Sequence, residues 1–278
     1  MPLVVNTNVP SFQAQRNLSK SQAALSSSFN KLSSGFRINS AADDASGLAI
    51  SEGMKSSIRS FVVAERNAND GISMSQTAEG ALGEVHDILG RMRELAMQSS
   101  NGTLTATDRS YVDAEFQQLK SEVQRIQDST KFNGKDLIKA VTTAFTFQVG
   151  LDNVASDQIA VSFGNVKLTA LLAAANKVDG AGATAALTAL GTVDAAIGTV
   201  SGARSRFGAV MNRLTSAASN ITTMRLNLTA ANSRVRDVDV ADETSRLSKN
   251  QVLTQAGVAV LAQANQLPQL AFGLLGGR

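Results

Sequence analysis

Between Ser11 and Leu32 the apolar positions Leu18, Leu25, Phe29 and Leu32 fall on one helical stripe, with Gln and Ser on most of the other faces. That is the pattern of an amphipathic helix too polar to fold alone. Ser33-Ser34-Gly35 stops it, and the run Phe36 to Asp44 is short of periodicity and rich in residues that cap or turn, an ordered connection into a second helix. This second helix is predicted from near Ala45. It carries Ile50, Met54, Ile58 and Phe61, then Ala78, Leu82, Val85, Leu89 and Met92, whose alternating steps of four and three residues describe a coiled-coil seam. Asn69-Asp70-Gly71 has the composition of a turn, and Gly costs roughly 1 kcal/mol in a helix interior. The local pattern leaves both a break and a continuous helix open there.

Ser99-Ser100-Asn101-Gly102 ends the second helix, and Thr105 with Asp108 gives a capping-box start to a third. Val112, Phe116, Leu119, Val123 and Ile126 then repeat at four, three, four, three up to Asn133-Gly134, the cleanest heptad of the chain. The period changes in the middle. Phe145, Phe147 and Val149 alternate with polar or small residues, as do Ile159, Val161 and Phe163, with Asp152-Asn153 between them; this predicts a β-hairpin. From Lys167 to Leu190 the chain is rich in Ala, Thr and Gly, with Gly180-Ala181-Gly182 at its centre, and reads as a small surface segment or a short helix plus turn.

Heptad spacing returns at Val193, Ile197, Val200, Phe207, Met211, Leu214, Ala218, Ile221 and Leu228, with Arg204 and Arg225 at two seam positions. A helix from about Thr192 to Arg236 would be ~65 Å long and needs a long partner. The two arginines suit inter-subunit ion pairs or snorkelling from a packed face. After Asp237-Val238-Asp239 a last stripe runs through Leu253, Val260, Ala264, Leu267, Ala271 and Leu274 and passes Pro268, which should kink or locally break it. The fold class is therefore mainly α: an elongated rod of long coiled-coil helices with a small β-hairpin insertion. First and last helices pair, and the three inner helices stack beside one another.

Composition narrows the chemistry. There is no Cys and one His, His86, so disulfides, thiolate metal sites, a cysteine nucleophile and a two-histidine zinc centre are excluded. His86, beside the seam residue Val85, suits a solvated or inter-subunit polar contact. Asp43 and Asp44, adjacent before a helix, are explained by its N-terminal dipole rather than as paired acids. Gly180-x-Gly182-x-x-Ala185 has no strand feeding it and is no dinucleotide fingerprint. The net charge of +3 arises from 26 basic and 23 acidic residues scattered along the chain, which gives no footprint for nucleic acid. No run approaches the ~20 apolar residues of a membrane span, and Met1 to Pro10 lacks the charged start of a signal peptide. Taken alone, the missing signal peptide and membrane span imply a cytoplasmic protein; no cofactor or metal is expected.

The stretch Leu32-Ser33-Ser34-Gly35-Phe36-Arg37-Ile38-Asn39-Ser40-Ala41-Ala42-Asp43-Asp44-Ala45-Ser46-Gly47-Leu48-Ala49-Ile50-Ser51 resembles the N-terminal signature of bacterial flagellins. Asn69-Asp70-Gly71-Ile72-Ser73, Arg93-Glu94-Leu95-Ala96, Phe132-Asn133-Gly134, Asn212-Arg213-Leu214 and Gln263-Ala264-Asn265-Gln266 are similar to further blocks of that family, in the same order. The resemblance implies no enzyme but a structural subunit that polymerises with itself into the flagellar filament, secreted through the flagellar type III export apparatus as an unfolded chain. It implies that Asn69-Asp70-Gly71 lies within one helix. The boundaries it suggests are 1–40 and 239–278 for terminal helices forming the inner filament coiled coil, 41–166 and 187–238 for a helical rod with the β-hairpin, and 167–186 for a short remnant of the variable region.

The partners implied are an export chaperone, the filament cap, hook-filament junction proteins and a host Toll-like receptor. By motif the receptor contact falls on Arg91, Leu95 and Glu115. The self-assembly seam falls on Leu18, Leu25, Phe29, Leu32, Leu253, Val260, Ala264, Leu267 and Leu274. A hook-filament junction protein is the alternative reading, although that group usually shows a Pro after the Asp-Asp pair, where this chain has Ala45-Ser46-Gly47.

Overall fold

A computed structural model describes residues 7–139, 141, 143–164, 166–180 and 183–275, with side chains through residue 266. The elements are α1 (Val9–Ser34), α2 (Ala45–Ser99), α3 (Ala106–Ser129), β1 (Lys131–Phe132), β2 (Lys135–Asp136), β3 (Thr143–Gln148), a 3-10 turn (Ala155–Asp157), β4 (Gln158–Phe163), α4 (Thr169–Leu172), α5 (Thr184–Arg236) and α6 (Val240–Leu275). The chain forms two compact units, Met1–Ser56 with Asn227–Arg278, and Ser57–Leu226.

In the first unit α1 and α6 pair antiparallel, as the two terminal stripes predict. Asn8 caps α1 by accepting from Ser11 N at 3.0 Å, and Gly35, at φ 75°, ends it with its N–H on Lys31 O at 2.9 Å. Only a residue free of a Cβ penalty takes that left-handed cap readily. Ala14, Leu18, Ser21, Leu25, Ser28 and Leu32 of α1 are buried or half-buried, alternating four and three residues apart. The matching row on α6 is Glu243, Leu247, Asn250, Thr254, Gly257, Leu261 and Ala264. Small residues alternate with leucines, so the two backbones approach closely: a Cβ on Gly257 would lie 3.2 Å from Leu18 Cδ1. The helix α6 continues through Pro268 to Leu275, so the proline does not end it.

The second unit is built on α2, whose buried row Phe61, Ala64, Ala68, Gly71, Ser75, Ala78, Leu82, Val85, Leu89, Met92, Ala96 and Ser99 keeps the three-four alternation throughout. Asn69-Asp70-Gly71 lies inside this helix. The local composition suggests a turn because it carries no information about the neighbour: a Cβ at Gly71 would come 3.0 Å from Leu214 and 3.2 Å from Phe147. The capping box at Thr105 and Asp108 starts α3. That helix stops at Ser129, before Asn133-Gly134, which instead forms the positive-φ tip of the β1–β2 hairpin. Strands β3 and β4 pair antiparallel with Phe145 opposite Val161 and Phe147 opposite Ile159. The ring of Phe163 stacks on Phe207 of α5, centroids 5.3 Å apart.

The long helix α5 begins at Thr184, ahead of the expected Thr192, and buries Ala186, Ala189, Val193, Val200, Ala203, Phe207, Leu214 and Ile221. Arg204 and Arg225 neither snorkel alone nor wait for another subunit; they pair within the chain with Glu79 (2.7 Å) and Glu65 (2.6 Å) of α2. The segment after Lys167 takes the second of its two expected forms, a short helix followed by a turn. The helix is α4, and the segment is not a surface appendage: Leu168, Leu171 and Val178 are buried. Ala181 and Gly182 of the Gly180-Ala181-Gly182 centre lie outside the described residues.

Candidate assembly and recognition surfaces

Heptad geometry gives α1 and α6 an inner row, already occupied, and an outer surface. Within α1, Leu18, Leu25 and Leu32 are half-buried in the inner row, whereas Phe29 is 64% exposed and Phe12, nearer the start of the helix, is exposed as well. On α6, Ala264 belongs to the inner row at 6% exposure, but Leu253 and Val260 face outward at 45% and 58%. The side chains of Leu267 and Leu274 lie outside the described residues. Thr254 and Leu261, one residue along from Leu253 and Val260, make with Gly257 the row that meets α1. The signal for it was present in the alternation of Leu with Ala or Ser along α1, but small residues carry little weight in a hydrophobicity pattern. A groove of about 410 Å³ lined by Gln22, Leu25, Ser26, Phe29, Leu247 and Gln251 runs between the two helices.

The same unit holds the connectors on either side of the helical pair. Val238 N donates to Gly35 O at 3.0 Å and Arg37 N to Arg236 O at 2.7 Å, so the α1–α2 and α5–α6 connectors form a short antiparallel bridge. The Arg236 guanidinium lies 4.6 Å over the Phe36 ring and pairs with Glu52. Asp43 accepts from Ser40 N at 2.9 Å and Asn39 N at 3.2 Å. Asp44 accepts from Gly47 N at 2.9 Å and Ser46 Oγ at 2.9 Å, capping α2. Backbone donors first, and the serine hydroxyls after them, hold both carboxyls below the usual aspartate range.

On the second unit Arg91 projects from α2 and donates through Nε and Nη2 to Glu115 Oε1 of α3 at 2.9 and 2.8 Å, and through Nη1 to Glu94 at 3.0 Å. Both partners of the pair are about half exposed. Leu95 is different: at 2% exposure it is packed inside the unit. It cannot itself fill a recess on another protein, which corrects the role implied by motif; the exposed features at this place are Arg91, Glu94 and Glu115. His86 is half-buried, and its Nδ1 is shielded without a hydrogen-bond partner among the described residues.

The inner face of α3 carries a row that hydrophobic spacing could not find. Arg109, Asp113, Lys120 and Gln127 are buried beside Phe116 and Val123. Besides Gln117 of the same helix, which bonds to Asp113 and Lys120, their partners are main-chain groups of the segments that pack on them. Lys120 donates to Ala173 O at 2.7 Å, Asp113 accepts from Val178 N at 2.8 Å, and Gln127 donates to Val166 O at 3.1 Å. Arg109 donates to Ser99 O, Gly180 O and Asn101 O at 2.9, 3.1 and 3.0 Å. Desolvation lowers the Lys120 pKa, opposed by the Asp113 charge. Among the described residues no group of three or more His, Cys, Asp or Glu side chains is placed to hold a metal.

Comparison with known proteins matches this arrangement. Residues 5–143 match the bacterial flagellin N-terminal helical region and residues 190–275 the bacterial flagellin C-terminal helical region. The chain is 44% identical over 273 residues to a flagellin of Halalkalibacterium halodurans, covering 98% of this chain and 100% of that protein. It is 43% identical over 303 residues to a flagellin of Bacillus subtilis, covering 98% and 99%. Among solved structures, Bacillus cereus flagellin superposes with a TM-score of 0.50 at 32% identity, over 60% of this chain and 94% of that one. A Vibrio parahaemolyticus protein described as flagellar hook-associated shares the fold alone, with a TM-score of 0.59 at 14% identity. With both helical regions matched in order and full-length relatives above 40% identity, this chain belongs to the bacterial flagellin family.

Proposed function

We propose that this structural subunit of the flagellar filament polymerises through the outward surface of its terminal pair, with Phe29, Leu253 and Val260 seated against neighbouring copies. The observation that carries this reading is the division of labour on α1 and α6: small residues and leucines close the pair, while large apolar side chains remain in solvent. Exposed apolar surface of this kind marks a partner face. The full-length matches to flagellins favour the filament subunit over a hook-filament junction protein, whose likeness rests on fold alone. The domain reading assigns 1–40 and 239–278 to the inner coiled coil, 41–166 and 187–238 to the surrounding layer, and 167–186 to the variable-region remnant.

The family resemblance supports export through the type III apparatus with a chaperone on the α6 stripe, and meetings with the filament cap and the junction proteins at assembly. It also supports recognition of the monomer by a host Toll-like receptor at Arg91 and Glu115, with Leu95 supporting that surface from beneath. Val260→Asp and Phe29→Asp test the assembly face, since each places a charge at an exposed position outside the inner row. Electron microscopy and sedimentation should show filaments for the unaltered chain and soluble monomer of unchanged helicity for both variants. Normal filament growth by both variants would remove these residues from the interface.

A further inference from the structure

We propose that Asn101-Gly102, in the turn between α2 and α3, is a self-modification site that converts to isoaspartate, and that the buried Arg109 activates it. Four Asn-Gly or Asp-Gly pairs occur in the chain, at residues 70–71, 101–102, 133–134 and 179–180. Asp70-Gly71 is locked in the interior of α2. Asn133-Gly134 sits at φ 47° and 74° between paired strands, and closing a ring there would require leaving both the turn and the ladder. Asp179-Gly180 presents a carboxylate, a poorer electrophile than a carboxamide. Asn101 and Gly102 are exposed, both have negative φ or lie outside the left-handed region, and among the described residues no hydrogen bond engages the Gly102 N–H.

The surroundings of this turn favour each step of the chemistry. Thr103 N donates to Asn101 Oδ1 at 3.2 Å, drawing electron density off Cγ. Arg109, 4% exposed, donates through Nη2 to Asn101 O at 3.0 Å. This oxygen belongs to the peptide whose nitrogen is the nucleophile, so a buried cation on it makes the Gly102 N–H more acidic. After loss of that proton to solvent, the Gly102 nitrogen bonds to Asn101 Cγ, the bond from Cγ to the amide nitrogen breaks, and ammonia leaves with the proton returned from solvent. The product is a five-membered succinimide.

Water then adds to one of its two carbonyl carbons. Addition at the former main-chain carbonyl breaks that carbon's bond to the Gly102 nitrogen, releases a proton, and leaves the chain running through Cγ. The Arg109 guanidinium polarises this carbonyl and stabilises the oxyanion that forms on it, as a fixed donor does for an acyl intermediate. The carboxylate so produced would face a cation whose two other acceptors, Ser99 O and Gly180 O, are neutral main-chain carbonyls. An ion pair therefore replaces a charge-dipole contact, which directs hydrolysis toward isoaspartate.

The test is incubation of the full-length chain at neutral and mildly alkaline pH, folded and in urea, followed by peptide mass spectrometry and isoaspartyl methyltransferase labelling. In the folded chain Asn101 should convert about tenfold faster than Asn133, a difference of one decade in rate constant, whereas in urea the two should be similar. The isoaspartate-to-aspartate ratio at Asn101 should be higher folded than in urea, and Arg109→Lys should bring it back toward the urea value. Gly102→Ala, where an added Cβ meets nothing within 4 Å, keeps the fold and should suppress conversion, so the site remains testable if Arg109→Lys does not fold. Equal rates at Asn101 and Asn133 in the folded chain would overturn the site, and an unchanged product ratio on folding would overturn the role of Arg109.

Discussion

The Phe147 ring lies on the α2 backbone at Gly71, so close that a β-carbon there would stand 3.2 Å from its Cδ1. The glycine thus serves as a notch for the β-hairpin, and the hairpin is held where Asn67 Nδ2 can donate to Gln148 O at 3.0 Å. Replacing Gly71 by Ala should change stability by no more than about 1 kcal/mol, because the gain in helix propensity offsets the crowding. Gly71→Leu should cost about 2 to 3 kcal/mol through overpacking. Thermal unfolding followed by circular dichroism gives both values, and a neutral Leu variant would show that the hairpin is not seated on this notch.

Lys120 should fasten the segment after α4. Its ammonium reaches Ala173 O and Asn176 O, and Lys120→Ala leaves two buried carbonyls without that donor, a loss of about 1 to 3 kcal/mol. Hydrogen exchange at Val178 N, itself bonded to Asp113, should accelerate in the variant. Because burial lowers the folded pKa below the unfolded value of 10.5, the folded chain sheds this proton first on raising the pH. The penalty for holding the charge is present below the folded pKa and is relieved as pH climbs toward 10.5. Lys120→Met should abolish that rise in relative stability, measured as melting temperature against pH.

The α1–α2 connector should loosen in acid. Asp43 and Asp44 have folded pKa values below the ordinary 3.8, so their contribution is complete above that value and disappears as pH falls through the folded values. Exchange at Ser40 N and Gly47 N should therefore quicken below pH 3.8, while helices distant from the connector remain protected. Asp43→Asn should loosen Ser40 at neutral pH, and Asp44→Asn, still a good cap, should not loosen Gly47 to the same degree. Equal protection of Ser40 in the Asp43 variant would contradict the account.

Receptor recognition separates into two effects. Arg91→Ala and Glu115→Ala remove an exposed ion pair, whose kind contributes little to stability, and should lower the response of receptor-bearing reporter cells with melting nearly unchanged. Leu95→Ala opens a cavity in the unit and should cost about 2 to 5 kcal/mol, so any loss of response must track loss of folding. A Leu95 variant as stable as the original but inactive would place Leu95 at the surface after all.

The long seams were legible in the sequence because leucine, valine and phenylalanine at steps of three and four dominate any hydropathy pattern, as they do from Ala78 to Met92. The hairpin was legible for the same reason, through the alternation at Phe145, Phe147, Ile159 and Val161. What escaped was packing by residues of low hydropathy. Gly257 and Ser28 bring α1 and α6 together, and Arg109, Asp113 and Lys120 bury themselves by bonding to the backbone of segments far along the chain. Spacing identifies a helical face but not which of two adjacent faces meets the partner helix, which is why Leu253 and Val260 share their heptad phase with the true row only to within one residue.

The bond from Asn8 to Ala264 joins positions 256 residues apart, so α1 meets its partner only after all of the chain between them has been made. Loop closure over such a span carries a large entropic cost and places the event among the slow, non-local steps of folding. A growing or prematurely stopped chain therefore carries α1 as an orphan, its leucine row open to whatever protein it meets first. Synthesis of α6 is in this sense read out physically: closure of the α1–α6 pair reports that it has arrived.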